Sequence, residues 1–380
     1  MKKTIAVLVC LLMCVALFAG FAPVKAADEG AVETKEIGFY ADAADSYYQV
    51  INNVLQACAE ADPDVDWKID YKVGQSSADE QLQAVENFII AGYDAIIVIQ
   101  NNPNTSSECI EKCVDAGIPY FGATHSFASA PNATDAAGLV CHNFVQAGIY
   151  AGEDAVSRGI SKVIMIEGVL GQGSASDQTL GFLQAYEAAG KSLGGVSAED
   201  IATKKTEVEL DGTQEIEIVQ WAAGGWMSDP AQKAMTDAIT ALGVDGWDGA
   251  YVQNNPMVEG AILAIEDAGL NPADYWIGSS NGREISWNWA KEGKITVDVN
   301  QAASLEGDAL YQQIKAYFAG EEYRQYIHPY LLPYNKDNIE EVESTLIPFE
   351  DVEAYMAGRA DGTFVSDIND ALFTDVDGMN

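Results

Sequence analysis

Basic residues, histidines and long apolar runs are what this 380-residue chain has little of. Lys and Arg number 20 against 58 Asp and Glu, for a formal net charge of −38. Phosphate backbones need a basic footprint, so nucleic acid is excluded as a partner. Docking on anionic lipid is excluded for the same reason. Histidine occurs only at His125, His142 and His328, and there is no CxxC or HExxH sequence. This removes the usual zinc sites and the metallohydrolases that depend on them. Asp62, Asp64 and Asp66 alternate as in a calcium loop, but Trp67 stands where that loop needs glycine. They read as a turn. No apolar run beyond residue 21 is long enough to span a bilayer, and no low-complexity tract divides the chain.

The start of the chain is different. Met1-Lys2-Lys3, an apolar stretch from Ile5 to Phe21, and Val24-Lys25-Ala26-Ala27 describe an export signal over residues 1–26, with cleavage after Ala26. The same stretch is long enough to serve as an uncleaved anchor. Met13 before Cys14 argues against a lipid-modified cysteine. The expected location is the periplasm or the cell surface. Removing residues 1–26 takes away Lys2, Lys3 and Lys25 and no acid, so the charge deepens to −41. Such acidity reads as a strongly solvated surface; a saline habitat gives the same composition. Cys58, Cys109, Cys113 and Cys141 remain and read as buried thiols.

Length and pattern give two domains of an α/β class. Short β-rich runs alternate with amphipathic stretches. Glu36–Tyr40, Trp67–Val73 and Ala95–Ile99 read as strands, the last apolar throughout, as a parallel strand covered on both faces must be. Tyr47, Ile51, Val54, Leu55 and Cys58 recur at helical spacing between the first two. Strands are expected again at 139–141, 163–166, 216–219, 250–252, 276–278 and 295–299. Helices are expected over 175–189, 231–242 and 257–268. Alternation of this kind gives doubly wound parallel sheets with right-handed crossovers.

Several segments carry a resemblance. Gly92-Tyr93-Asp94-Ala95-Ile96-Ile97-Val98 resembles a G-x-D-A-I-I-V strand, and Ala116-Gly117-Ile118-Pro119 resembles the turn that follows it. Asp248 to Met257, reading DGAYVQNNPM, resembles a strand and loop usually written DAVFAQNDEMA. Together, from about Glu36 to Gly320, they are similar to the type I periplasmic sugar-binding family. The resemblance implies two doubly wound lobes joined by a three-segment hinge, the periplasmic binding protein type I fold. One lobe would comprise residues 34–140 with 302–327, the other 141–301 with 328–347. Residues 348–380 would form an acidic tail, either capping a lobe or loose. It further implies a monomeric extracytoplasmic solute-binding protein. Such a protein closes on a small polar ligand (a sugar, deoxy sugar or polyol) and delivers it to an ABC transporter permease. The alternative is a sensor that presents its ligand to a receptor. No cofactor, metal or catalytic residue is implied.

In doubly wound sheets ligands sit beyond the carboxyl ends of the strands. A sugar needs aromatic faces there for its C–H surfaces and hydrogen-bonding groups for its hydroxyls. Asp45-Ser46-Tyr47-Tyr48 stands where the family has Asn-Pro-Phe-Phe, which places Asp45, Tyr47 and Tyr48 at the ligand. Trp226 falls where the second lobe supplies an aromatic wall; Asn254 and Gln301 match family ligand contacts. Departures mark the rest. Thr124 and His125 replace an Asp-Arg pair, His142 an Asp, Gln178 an Arg, and Ser280-Asn281 the end of Gly-Phe-Asp-Gly. The expected site is therefore neutral, with His125 and His142 able to donate to an acid if protonated. Gly171-Gln172-Gly173 follows a strand but lacks the third glycine of a dinucleotide loop, where Ser176 stands.

Overall fold

A computed structural model describes residues 32–100, 102–377 and 379. The export signal expected over residues 1–26 lies outside them. The strands are β1 (Glu33–Ala41), β2 (Val65–Val73), β3 (Ala95–Ile99), β4 (Tyr120–Ala123), β5 (Gly138–Val140), β6 (Lys162–Glu167), β7 (Glu217–Ala223), β8 (Gly249–Val252), β9 (Trp276–Gly278), β10 (Val297–Asn300), β11 (Tyr326–His328), β12 (Leu332–Asn335) and β13 (Thr374–Asp375). They form two sheets, ordered β13-β11-β5-β4-β3-β1-β2 and β12-β10-β9-β8-β6-β7. Within the first, β1, β3, β4, β5 and β11 run parallel. Within the second, β7, β6, β8, β9 and β10 do so. β12 and β13 are antiparallel edges. This is the α/β architecture of two doubly wound lobes that the alternation predicts.

The residues forming each strand are those whose side chains must leave water on both faces. Ala95–Ile99 is buried at every position between helices Ala78–Ala91 and Pro103–Ala116 on one side and Ser46–Glu60 and Ala303–Ala319 on the other. Helix starts are capped where a strand has just ended: Asp45 accepts from the Tyr47 N–H and Asn254 from the Met257 N–H, each satisfying an otherwise orphaned donor. In the second lobe, helices Phe144–Ser157 and Gly173–Ala188 meet almost backbone to backbone. A side chain on Gly148 would collide with the Gln178 carbonyl, and one on Gly181 with the Val145 carbonyl.

The first sheet passes to the second at Cys141–Asn143, and the chain returns at Gln301–Ala302 and crosses again at Pro329–Leu331. It then crosses once more. Leu346 belongs to the core of the second lobe and Ile347 to that of the first. The acidic tail covers the first lobe. Tyr355 and Arg359, on helix Val352–Asp361, converge on the buried Asp308 at 2.9 and 2.6 Å, Ile368 and Phe373 enter the core, and β13 pairs with β11. Neither this packing nor β11 and β12 has a periodicity long enough to be read from sequence. Cys58, Cys109, Cys113 and Cys141 are buried free thiols. Among the described residues no helix is long and apolar enough to cross a membrane.

Candidate ligand-binding cleft

Loops at the carboxyl ends of both sheets face one another across a cleft. From the first lobe come Asp45 to Tyr48 after β1, and Thr124 and His125 after β4. From the second come Ser174, Trp226, Gln253, Asn254, Pro256, Asn281 and Arg283, after β6 to β9, with Gln178 one turn into its helix. Phe144, Gln301 and Phe349 stand on or beside the crossings. The space between them is about 520 Å³, part of it open to solvent.

The first wall is aromatic and braced from behind. The Tyr47 hydroxyl donates to Glu306 at 3.0 Å, and its ring meets Phe349 edge-on at 5.5 Å. Glu306 is fully buried at the start of its helix, and desolvation raises its carboxyl to about 8. The Tyr48 hydroxyl lies 2.8 Å from His125 Nε2. Gln172 of the second lobe reaches that same nitrogen at 3.4 Å, while its amide oxygen accepts from Trp226 Nε1 at 2.6 Å. A chain of polar groups thus runs from Tyr48 across the cleft to Trp226. Gln172 belongs to the glycine-flanked turn before helix Gly173–Ala188, and this contact is its use.

The second wall is a lattice of amides. Ser280 donates to Gln178 Oε1 at 2.8 Å. Gln253 donates to the Ala175 carbonyl and to Thr179, and accepts from the Gly168 N–H. Asn254 Nδ2 holds the Trp226 carbonyl at 3.2 Å, and Asn281 Oδ1 accepts from the Asn255 N–H at 3.1 Å. The Trp226 ring lies flat against Gly168, where any side chain would displace it.

Two features distinguish this cleft from ordinary surface. Thr124, Trp226 and Asn281 have φ of 64°, 63° and 110°. These are three of the five non-glycine residues with positive φ among those described, and all three line the cleft. Such conformations cost about 1–3 kcal/mol each and cluster at functional sites. In addition, Ser174 Oγ, Gln301 Oε1 and His125 Nδ1 are buried on cleft-lining residues without a hydrogen-bond partner among the described residues. Buried polar atoms normally have one.

The structure gathers Asp45, Tyr47, Tyr48, Thr124, His125, Gln178, Trp226, Asn254, Asn281 and Gln301 around one cleft. Two expected residues lie elsewhere. His142 packs between crossings, with Nε2 at 3.3 Å from the Ala302 carbonyl. Ser280 is buried behind Gln178 and Gln253. The expectation of histidines that donate as cations is also corrected: burial lowers both His125 and His142 to about 4, so they are neutral at pH 7. Nor is the cleft free of charge, because Arg283 lines it, paired to Glu350 at 2.7 Å. Arg283 sits two residues past Asn281 in the loop after β9, where position alone marks it as a candidate. Phe144, Ser174, Gln253 and Phe349 also escaped the sequence reading.

The comparisons agree with this geometry. The family model described as periplasmic binding protein domain matches residues 37–322. A Rhizobium meliloti protein named for rhizopine binding is 24% identical over 265 residues, covering 69% of this chain and 77% of that one. The galactofuranose-binding protein of Escherichia coli is 24% identical over 243 residues, covering 62% and 68%. Among solved structures, an ABC transporter solute binding protein from Bacillus halodurans with bound myo-inositol superimposes with a TM-score of 0.67. It is 22% identical and covers 83% of this chain and 99% of that one. At this identity the superposition speaks for the fold, and the family match for kinship. With two doubly wound lobes, a cleft at their strand ends and a match over most of its length, this chain belongs to the periplasmic binding protein domain family, in its type I form.

Proposed function

We propose that the protein captures a sugar or sugar-like polyol in this cleft, outside the cytoplasm, and delivers it to the membrane component of an ABC transporter without altering it chemically. The observation that carries the reading is the pairing of aromatic faces with unpartnered polar atoms. Tyr47, Trp226 and Phe349 offer flat apolar surface for C–H faces. Ser174 Oγ, Gln301 Oε1 and His125 Nδ1 offer hydrogen-bonding positions that none of the described residues fills. Hydroxyls on a compact ring match both. The relatives named for rhizopine and galactofuranose, and the neighbour with bound myo-inositol, support the class of ligand.

Capture works by closure. Lobes connected only by short crossings move as bodies about them, and a ligand that touches both walls favours the closed arrangement. The Tyr48–His125–Gln172–Trp226 chain is a contact that closure makes and opening breaks. The test is a thermal-shift screen of the protein against pentoses, hexoses, deoxy sugars, inositols and sugar acids. Ligand at 100 times its dissociation constant adds about 2.7 kcal/mol, a shift of several degrees. A selective hit accompanied by a smaller radius in solution scattering is the expected result. A panel without a single stabilising member would sink the reading.

A further inference from the structure

We infer that the C-terminal crossing Ile347–Asp351 is a working part of the ligand site. In this inference Phe349 forms a wall of the cleft and Glu350 orients Arg283, and the two together set which ring substituents are accepted. The inference rests on the binding reading above and adds specificity to it. The family match ends at residue 322, so this segment lies beyond the matched region.

The crossing is fastened to both lobes. The Ile347 N–H donates to Asn300 Oδ1 at 2.9 Å, and Asn300 Nδ2 donates back to the Ile347 carbonyl at 3.1 Å. Ser304 Oγ donates to the Pro348 carbonyl. Glu284, on the second lobe, accepts from the backbone N–H groups of Phe349 and Glu350 at 2.8 and 3.2 Å. With its backbone fixed in this way, the segment presents two side chains. Phe349 is 1% exposed, sits edge-on to Tyr47 and lines the cleft. Glu350 takes one amine of the Arg283 guanidinium at 2.7 Å.

What remains of Arg283 is directional. A guanidinium is a rigid planar fork of five donors. Its backbone is tied to Asn255 at 2.8 Å, one terminal amine is held by Glu350, and Nε is buried without a partner among the described residues. That N–H is left for an oxygen acceptor in the cleft: a hydroxyl, a ring oxygen or a carboxylate. Phe349 lines the same cleft as apolar surface. The end of the cleft nearest the crossing therefore reads a ring carrying an oxygen substituent next to a C–H face. Hydrogen bonds to a charged donor are the stronger kind, so this end discriminates between ligands and does not merely enclose them.

The experiment measures dissociation constants by calorimetry for myo-inositol, D-galactose, D-ribose and D-glucuronate. The proteins are the wild type, Glu350→Gln, Phe349→Leu, Phe349→Ala and, as a surface control, Asp237→Asn. The expected result is a loss of fivefold or more for the best probe in Glu350→Gln and Phe349→Leu. The ratios between probes should change as well, with cooperative melting retained and the control unchanged. Phe349→Ala empties a core position and can unfold the protein; Phe349→Leu then decides. Folded variants that bind every probe within twofold of wild type, in the same order, overturn the inference and leave the binding reading intact. A wild type that binds none of the four overturns both.

Discussion

The two walls of the cleft are built differently. On the first lobe, the polar groups are consumed in bracing aromatic rings: Tyr47 against Glu306, Tyr48 against His125. On the second, polar groups brace one another, Ser280 to Gln178 and Gln253 to Thr179, and the largest ring, Trp226, is held in place by Gln172 and Asn254. A rigid apolar face fixes where a ring can lie; a rigid amide lattice fixes where its hydroxyls must point. On the proposed reading, the first would set affinity for rings in general, and the second preference among them.

The largest way to disturb this contrast is to move the lattice as a whole. Gly148→Ala forces helix Phe144–Ser157 away from the Gln178 carbonyl. Overpacking costs about 1–3 kcal/mol, so the melting temperature should drop by several degrees, with binding lost alongside. Calorimetric unfolding checks this, and a variant as stable as wild type would mean the helices have room to part. Next are the rings. Tyr47→Ala should weaken all ligands roughly tenfold or more by a common factor, from lost apolar contact. Gln178→Ala should alter the ratios between ligands that differ in one hydroxyl. A titration panel on both variants would refute the contrast if the two losses had the same pattern.

The brace behind the first wall predicts a pH effect. Glu306 has a folded-state carboxyl raised from 4.5 to about 8 by burial, so the folded protein binds its proton more tightly than the unfolded chain. Folding is thus unpenalised below about pH 4.5, and stability falls as pH rises toward 8. Glu306→Gln should flatten that slope, gaining several degrees of melting temperature at pH 8.5 relative to wild type and little at pH 5. The smallest effect is expected from Gln172→Ala. It removes a 3.4 Å contact across the cleft, which is a marginal hydrogen bond, and the 2.6 Å bond to Trp226, a residue that Asn254 and the packing on Gly168 still hold, so affinity should change by less than about threefold. A larger loss would show that the polar chain, and not the rings, holds the lobes together.

Much of the fold was legible because it rests on local pattern. Ala95–Ile99 could only be a doubly covered strand, and the Tyr47–Cys58 spacing only a helix against it. Site residues were legible where a motif pinned them to the end of a strand, as with Tyr47, Trp226, Asn254 and Gln301. His142 and Ser280 satisfied the same rule, yet turn inward, because a strand's last residues alternate between cleft and core and one position decides which. Arg283 and Phe349 were missed for different reasons: the first lies just past the matched motif, the second 48 residues beyond Gln301, the cleft-lining residue nearest to it in the chain.

Local pattern and composition thus carried the class of fold, the order of most of its strands and helices, and an acidic surface unsuited to nucleic acid. These follow from period, propensity and charge, which act over a few residues or over the whole composition. Packing settled that the acidic tail would cover the first lobe, that both cleft histidine candidates would be neutral, and that a guanidinium and a phenylalanine from the last crossing would line the same cleft. Those outcomes depend on burial and on contacts between segments distant in the chain, and neither is encoded in any local pattern.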